Sequence, residues 1–173
     1  MSRSFARIRL MKELEEMSSD PPAGCSASPV DEDNILIWDA TITGPDDSPW
    51  EGGIYVMRLR FNDNYPDQPP YIRFTTPMYH PNIFSDGSIC LDIIRDKWQP
   101  IYTVNSILTS IMSLLTDPNP ASPANPEAAN LYIIIILNLY YNFLYLHNPK
   151  EYRRRVRQCA EQSIELACKT SYE

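Results

Sequence analysis

Residues 80–100 read HPNIFSDGSICLDIIRDKWQP, and this stretch is the least regular part of the chain. Its apolar side chains follow neither the period of a strand nor that of a helix, and glycine and proline interrupt them. Because so much apolar surface has to pack against a core, we expect an ordered loop here. Ordered loops on a rigid scaffold commonly carry catalytic and binding residues. The stretch therefore predicts the position of the functional site.

The segments before this loop predict antiparallel strands. Residues 35–43 alternate, with Leu36, Trp38, Ala40 and Ile42 on one face. Residues 54–61 alternate more clearly, and residues 71–74 form a third short apolar run. Since short connections join these runs, they favour an antiparallel meander over parallel strands.

Helices are predicted at both ends of the chain and directly after the loop. Residues 104–115 carry apolar side chains at helical spacing, and Asp117-Pro118 ends that helix. Asn148 and Pro149 predict the start of the last helix. Its predicted apolar stripe consists of Tyr152, Val156, Cys159, Ala160 and Ala167. In the first helix, the apolar residues recurring every three positions are Phe5, Ile8, Met11, Leu14 and Met17.

Length, composition and cysteine content bound the class of protein. The 173 residues, of which 43% are hydrophobic, fit a single domain over residues 1–173 with a sizeable core. The charged amino-terminal segment lacks the apolar core of a secretion signal, so we expect reduced thiols in the cytoplasm or nucleus. The histidines and cysteines lack the spacing of a zinc site.

The net charge of −7 is distributed unevenly. Residues 1–12 hold four basic and no acidic groups, whereas residues 13–149 hold five basic and eighteen acidic groups. An acidic body neutralises phosphates poorly, so we expect no direct nucleic-acid binding. The basic segment indicates either docking to an acidic protein or an ordinary solvated helix face. Arg9 and Lys12 oppose the helix dipole, which favours a role other than stability.

Cys90 is the candidate nucleophile, although a cysteine between apolar neighbours is commonly a small core residue. Asp92, two residues later, argues against a purely apolar setting. In one interpretation Cys90 and His80 form the thiolate–imidazolium pair of a thiol hydrolase. In the other, Cys90 exchanges thioesters without a dedicated base, and Asn82 donates a hydrogen bond to the oxyanion. Pro81 fixes this segment, which suits a fixed donor better than a mobile base.

The run from His80 to Pro100 resembles the active-site signature of the ubiquitin-conjugating enzymes. Together with the other matching segments it extends over residues 5–132 and 146–168 in the order and spacing of that family. The further matches are Asp20-Pro21-Pro22, Trp50-Glu51-Gly52-Gly53, Tyr65-Pro66 to Pro69-Pro70, and Asp117-Pro118-Asn119-Pro120.

The resemblance implies an α+β fold with an amino-terminal helix, a four-stranded antiparallel meander, the active-site loop and carboxy-terminal helices. It also implies that Cys90 accepts ubiquitin as a thioester from the activating enzyme and passes it to a substrate lysine with a ubiquitin ligase. No metal or organic cofactor is implied, since the activating enzyme consumes the ATP. The alternatives are the Cys90/His80 hydrolase and a catalytically idle ubiquitin-binding scaffold.

By the same resemblance, Asn82 stabilises the oxyanion or braces the loop that shields the thioester. His80 and Pro81 support the loop, with the imidazole of His80 bonded to backbone. Asp92 and Ser122 match positions that line the lysine channel. Many relatives carry an acidic residue where Ser122 stands, and the run Ser122 to Asn125 is similar to the branch linked to histone ubiquitination and DNA-damage tolerance.

The resemblance also identifies partner surfaces, with a RING-type ligase and a monomeric enzyme expected. Arg9 and Lys12 match the helix face that meets the activating enzyme and the ligase. Ser26 matches the face opposite the thiol, where some relatives bind a second ubiquitin. The two loops that complete the ligase site correspond to Asp67, Trp98, Pro100 and Ile101. Trp98 fits a plain core position equally well.

Residues 133–145, IIIILNLYYNFLY, do not match the family. Removing these thirteen residues restores the usual gap before Glu151, and all of them have AU-rich codons. We therefore predict a low-complexity insertion or a retained intron. The apolar run 131–146 is too short for the roughly 20 residues that span a bilayer. If translated, the segment is expected either to extend the preceding helix or to pack poorly.

Overall fold

The computed structural model describes residues 5–31, 33–141 and 149–170. The fold is α+β, as predicted, with one helix before a four-stranded sheet and three after it. A single 3₁₀ turn, Asp92–Ile94, lies in the loop between the sheet and the second helix. The elements are α1 Phe5–Ser19, β1 Cys25–Asp31, β2 Asn34–Thr43, β3 Ile54–Arg60, β4 Tyr71–Phe74, α2 Val104–Thr116, α3 Pro126–Tyr141 and α4 Pro149–Thr170.

The sheet is an antiparallel meander in the order β1-β2-β3-β4. Trp38 of β2 lies opposite Leu59 of β3, and Met57 of β3 lies opposite Phe74 of β4. All four side chains are buried, so the predicted alternation is confirmed for these strands. The hydrophobic pattern by itself missed β1, because Pro29 and two serines leave that strand without a regular apolar face.

Helix α1 forms as predicted, but the prediction of its apolar face was wrong. The buried residues are Ala6, Leu10, Glu13 and Met17, at intervals of four, three and four. Phe5, Ile8 and Met11 are instead 72%, 52% and 49% exposed. A step of three residues falls about 60° short of a full helical turn, so a strict three-residue repeat winds around the helix. Only its last members therefore reach the core.

The carboxylate of Glu13 joins α1 to the rest of the molecule. The residue is 2% exposed, and its oxygens accept from Arg9 Nε, from the Tyr65 hydroxyl at 2.7 Å and from the Val104 N–H at 2.8 Å. Val104 is the first residue of α2, where the helix dipole favours a negative charge. A buried charge that would be costly alone is thus fully hydrogen-bonded.

The helices α2 and α4 cover the sheet with the faces that the sequence predicts. Thr103 and Ser106 form a reciprocal capping box at the start of α2, and Ile107, Leu108 and Ile111 are fully buried. In α4 the predicted stripe is buried from Tyr152 to Ala160, and Ala167 is half-buried. The predicted cap Asn148 lies outside the described residues.

Helix α3 contains most of the segment predicted as an insertion. It runs without a break from Pro126 to Tyr141, so residues 133–141 extend the preceding helix, which is one of the two expectations stated above. Ile135 is buried and Ile136 is exposed. The remainder of the segment, 142–145, lies outside the described residues. Over the described ranges, none of the helices has the length and apolar character needed to cross a bilayer.

Candidate active site

The loop that follows β4 is anchored to the sheet by its backbone. Isolated bridges pair Arg73 with Ser88 and Ile83 with Ile89, and the N–H of Phe74 donates to the Gly87 carbonyl at 2.8 Å. Gly87 has a φ of +86°, and a Cβ at this position would lie 2.1 Å from the Phe74 carbonyl oxygen. Only glycine fits both the conformation and the space. The expected ordered loop is confirmed.

The thiol of Cys90 lies at the surface end of this loop. Cys90 is half-buried, and its N–H donates to the Asn82 carbonyl at 2.8 Å. Its Sγ lies 3.8 Å from the Ser122 hydroxyl and 3.6 Å from Nη1 of Arg95. By contrast, Cys25 and Cys159 are buried, and burial raises their pKa values. Cys90 is therefore accessible and has polar neighbours on two sides.

His80 lies beneath the loop, and both of its ring nitrogens bond to the backbone. It is fully buried, with Nε2 2.9 Å from the Leu114 carbonyl oxygen and Nδ1 accepting the N–H of Asn82 at 3.0 Å. These partners assign the proton to Nε2 and leave neither ring nitrogen for catalysis. Burial also lowers the pKa of His80 to about 4. The hydrolase alternative requires His80 as its base, and it fails because both ring nitrogens of His80 are hydrogen-bonded to the backbone.

Pro81 and Asn82 connect the thiol loop to residues 119–125. The carbonyl of Pro81 accepts the N–H groups of Ala124 at 2.8 Å and Asn125 at 2.9 Å. The Asn82 amide donates to the carbonyls of Asn119 and Ser122, at 2.7 and 3.0 Å, and its oxygen accepts the Asn119 N–H at 2.8 Å. Asn82 is completely buried and uses both amide hydrogens. In this structure the Asn82 side chain therefore bonds the backbone of residues 119–122.

The two polar residues expected in the lysine channel have different partners in the structure. The Ser122 hydroxyl lies beside Cys90 Sγ, as described above. Asp92 is exposed at the start of the 3₁₀ turn and forms an ion pair with Lys97. The hydrogen bond from Lys97 lowers the pKa of Asp92 below its usual value. The Asp92 carboxylate therefore has a cationic partner of its own.

Sequence reasoning missed two residues of the site. Arg95 contacts the thiol, but no pattern in the sequence marks it, because the turn that brings it back is only three residues long. Asn119 holds the Asn82 amide through its backbone groups, which carry no side-chain signal at all. Within the described part of the chain, no group of three metal-ligating side chains is close enough to hold an ion.

Comparison with known proteins agrees with this geometry. The family model described as "Ubiquitin-conjugating enzyme" matches residues 9–134. The chain belongs to the ubiquitin-conjugating enzyme family. It is 48% identical over 158 residues to ubiquitin-conjugating enzyme E2 3 of Arabidopsis thaliana, covering 91% of this chain and 96% of that protein. It is 47% identical over 160 residues to ubiquitin-conjugating enzyme E2 2 of Neurospora crassa, covering 92% and 97%.

These relationships establish the class of activity of this conjugating enzyme. The matches extend over nearly the full length of both proteins, so the chain is a ubiquitin transferase whose partners are ubiquitin, an activating enzyme and a ubiquitin ligase. Aspergillus fumigatus ubiquitin-conjugating enzyme E2 2, 48% identical over 160 residues, is a further relative of the same kind. The reaction of this conjugating enzyme joins the carboxyl terminus of ubiquitin to an amine.

The residues expected at the ligase surface of the conjugating enzyme lie on two linked loops. Trp98 is half-buried, and its indole Nε1 donates to the Pro66 carbonyl at 2.7 Å, which ties the loop of residues 97–102 to that of residues 65–70. Asp67 and Pro100 are exposed, and Ile101 is 74% exposed. Trp98 thus combines a packing role with a place beneath the exposed residues.

The two basic residues of α1 differ in exposure. Arg9 turns inward, pairing with Glu13 and donating from Nη2 to the Tyr102 carbonyl at 3.1 Å. These contacts give Arg9 a structural role in addition to the partner role that the helix-dipole argument predicted. The side chain of Lys12 is 75% exposed and lies 3.9 Å from Glu16. On the sheet, Ser26 is exposed on β1, opposite Thr41 of β2.

Proposed function

We propose that Cys90 is the residue of this ubiquitin-conjugating enzyme that carries ubiquitin as a thioester. The observation that carries the proposal is an accessible Sγ on an anchored loop, with Arg95 and Ser122 beside it and a completely buried His80 behind the loop. A carrier needs a thiol without a dedicated base, because a base would activate water and hydrolyse the thioester. Cys90 meets this requirement, because both ring nitrogens of His80 are hydrogen-bonded to the backbone.

Asn82 and Ser122 have distinct roles in the proposal. Asn82 braces residues 119–122, so that this segment forms one wall of the site. Ser122 presents its hydroxyl to the thiol from that wall and meets the incoming lysine. A lysine amine has a pKa of about 10.4 and is less than ~0.1% neutral at pH 7, so the site has to favour the neutral form. Asp92, held by Lys97, accepts a hydrogen bond at the mouth of the channel.

The test is thioester formation on a non-reducing gel with activating enzyme, ATP and ubiquitin. Wild type is expected to form an adduct that thiols cleave, and Cys90→Ser an adduct that thiols leave intact. Cys168→Ser is the matched control, since Cys168 is also exposed but lies on α4. The absence of any wild-type adduct would favour a scaffold, whereas net cleavage of ubiquitin conjugates would favour the hydrolase.

We further propose that the enzyme acts in the branch linked to histone ubiquitination and DNA-damage tolerance, in the nucleus and the cytoplasm. The run Ser122-Pro123-Ala124-Asn125 supports this assignment, and its serine lies against the thiol where many relatives have an acidic side chain. Purified histones and an unrelated lysine-rich protein are the substrates to compare. Equal modification of both would contradict the proposal.

A RING-type ligase is proposed to bind the exposed surface formed by Lys12, Asp67, Pro100 and Ile101. The exposure of Ile101, next to an ordered tryptophan, supports this choice. An Ile101→Ala variant of the monomeric enzyme is expected to charge normally but to lose acceleration by the ligase. Ser26, on the exposed face of β1, is proposed to contact a second ubiquitin, and Ser26→Arg is expected to remove that noncovalent contact alone.

Residues 133–145 are proposed to be an insertion into an otherwise single catalytic domain of residues 1–173. The family match ends at residue 134, close to the start of this segment, which supports the proposal. A transcript lacking the thirty-nine nucleotides that encode these thirteen residues would identify a retained intron. Transcripts that all retain them would identify a genuine insertion.

A further inference from the structure

We propose that Arg95 is a catalytic residue of the transfer step, donating a hydrogen bond to the thioester carbonyl oxygen as that oxygen becomes negative. The proposal rests on the assignment of Cys90 as the acceptor thiol. Asn82 donates both of its amide hydrogens to the carbonyls of Asn119 and Ser122 and has none left for the thioester oxygen. The oxyanion needs another donor.

Arg95 is within reach of the reacting atoms. Its Nη1 lies 3.6 Å from Cys90 Sγ. The carbonyl oxygen of a thioester is only two bonds from the sulfur, so a donor beside the sulfur can bond that oxygen with a small side-chain movement. A guanidinium has several N–H groups and remains protonated at any physiological pH. It can therefore stabilise the negative oxygen without taking part in proton transfer.

The guanidinium of Arg95 has no carboxylate ion-pair partner among residues 5–31, 33–141 and 149–170. Asp92, the nearest acidic residue in the sequence on the thiol side, is paired with Lys97. None of the ion pairs among the described residues includes Arg95. The Asp92–Lys97 pair thus leaves the guanidinium available for the thioester.

The backbone and the stem of Arg95 are both supported. Its N–H donates to the Asp92 carbonyl at 3.0 Å, and its carbonyl accepts the Trp98 N–H at 3.3 Å. The side chain lines a cavity of about 230 Å³ together with Ile89 and Ile94. Apolar surface of this kind holds the methylene stem of an arginine while its charged end remains in water. The apolar cavity thus holds the stem of Arg95 so that its guanidinium lies beside Cys90 Sγ.

The step balances as follows. The lone pair of the lysine nitrogen forms a bond to the carbonyl carbon, and the π pair moves to the oxygen, which accepts the hydrogen bond from Arg95. The oxygen pair then re-forms the carbonyl as the carbon–sulfur bond breaks. Cys90 Sγ leaves as a thiolate with the electron pair of the broken carbon–sulfur bond, and the proton lost by the attacking nitrogen passes to water or to the sulfur. Arg95 is unchanged at the end.

The experiment follows discharge of the preformed thioester of the full chain in a single turnover. After ATP is removed, hydroxylamine or free lysine is added to wild type, Arg95→Met and Arg95→Lys. Loss of an oxyanion donor costs about 10²–10³-fold in a closed site, and this exposed site is expected to show a 10- to 100-fold loss in Arg95→Met. Arg95→Lys should recover part of the rate, because it keeps a cationic donor.

Arg60→Met is the matched control, since Arg60 is exposed at the end of β3 and is expected to discharge at the wild-type rate. The loss in Arg95→Met should be the same for both nucleophiles, because the oxyanion is common to them. A rate within twofold of wild type, or a loss confined to lysine, would overturn the proposal. A wild-type chain that forms no adduct would instead remove the assignment of Cys90.

Discussion

At the scale of single residues, the side chain of Asn82 joins the thiol loop to residues 119–122 through three hydrogen bonds. An Asn82→Ala variant removes three part-buried hydrogen bonds, to the carbonyls of Asn119 and Ser122 and from the N–H of Asn119, at a cost of about 1–3 kcal/mol in the free energy of unfolding. We also expect slower discharge, since residues 119–122 lose their brace. Chemical denaturation and single-turnover discharge measure the two effects.

Asn62→Ala is the control for this variant, because the Asn62 amide bonds Gln68 at the exposed surface. It is expected to change the free energy of unfolding by less than about 0.5 kcal/mol. An Asn82→Ala protein as stable as this control would show that the brace is dispensable.

His80 gives the molecule a sensitivity to mild acid. In the unfolded chain a histidine binds a proton below its ordinary pKa of 6.5, whereas folded His80 does so only near 4. Between these values the unfolded state gains a proton that the folded state cannot accept. Stability is therefore complete above pH 6.5 and falls as the pH is lowered towards 4.

Between about pH 7 and pH 5, the lowered pKa of His80 is expected to reduce the free energy of unfolding by roughly 2 kcal/mol. Urea denaturation at the two pH values measures it. A His80→Gln variant should be less stable at neutral pH but should lose less on acidification. Equal slopes for the variant and wild type would contradict the assignment to His80.

At the scale of elements, the Glu13 network holds α1 against the start of α2. Removing the carboxylate in Glu13→Ala takes the acceptor from Arg9 Nε and from the Val104 N–H. Because Arg9 is 24% exposed and keeps its hydrogen bond to the Tyr102 carbonyl, we expect a cost of about 3 kcal/mol, the low end for a broken buried pair. Tyr65→Phe removes one hydrogen bond to the same carboxylate and is expected to cost about 1 kcal/mol. Denaturation of the two variants measures both values.

Glu16→Ala serves as the control on the same helix, because the side chain of Glu16 is 43% exposed and its carboxylate lies 3.9 Å from the ammonium group of Lys12. Exposed pairs of this kind contribute at most about 1 kcal/mol. If Glu13→Ala proved no worse than Glu16→Ala, the network would not be what holds α1 in position.

The elements also show what the sequence can predict and what it cannot. Strands β2 and β3 and helix α2 have strong periodic patterns, and their buried faces were predicted correctly. Strand β4 was predicted as a strand, but its buried face was not predicted. Strand β1 has no such pattern, since its pairing with β2 rather than its side chains defines it. The buried face of α1 depends on Glu13, an acidic residue that hydrophobicity alone assigns to the surface.

The site divides in the same way. Cys90, His80 and Asn82 lie in a short stretch of sequence, and the roles proposed for them follow from a family motif. The hydrogen bonds of His80 to the backbone agree with that motif. Arg95 and the backbone of Asn119 reach the site through turns, and their contributions depend on distances that no sequence pattern encodes. The inward orientation of Arg9 could likewise not be predicted without knowing that Glu13 is buried.

At the scale of the whole molecule, the segment 133–145 is expected to be dispensable. A chain lacking it should form the thioester at the wild-type rate, because the contacts of Cys90 come from residues 82–122. It should also be more soluble, since a run of four isoleucines with one exposed member promotes aggregation. Gel-based charging and the soluble fraction after centrifugation measure the two outcomes.

Ile136→Lys is the control of unchanged length, since it removes the exposed isoleucine alone. It should recover part of the gain in solubility. A shortened chain that failed to charge, or that precipitated more than wild type, would show that the segment belongs to the domain.

The indole bond from Trp98 to Pro66 has a consequence for how fast partners can be exchanged. Two separate mobile loops would each have to be ordered when a partner arrives, and that ordering would consume part of the binding energy. Here the surface proposed for the ligase is already assembled before contact, so a modest interface would suffice for useful affinity. An enzyme that releases one protein before meeting the next gains from weak, quickly formed complexes of this kind.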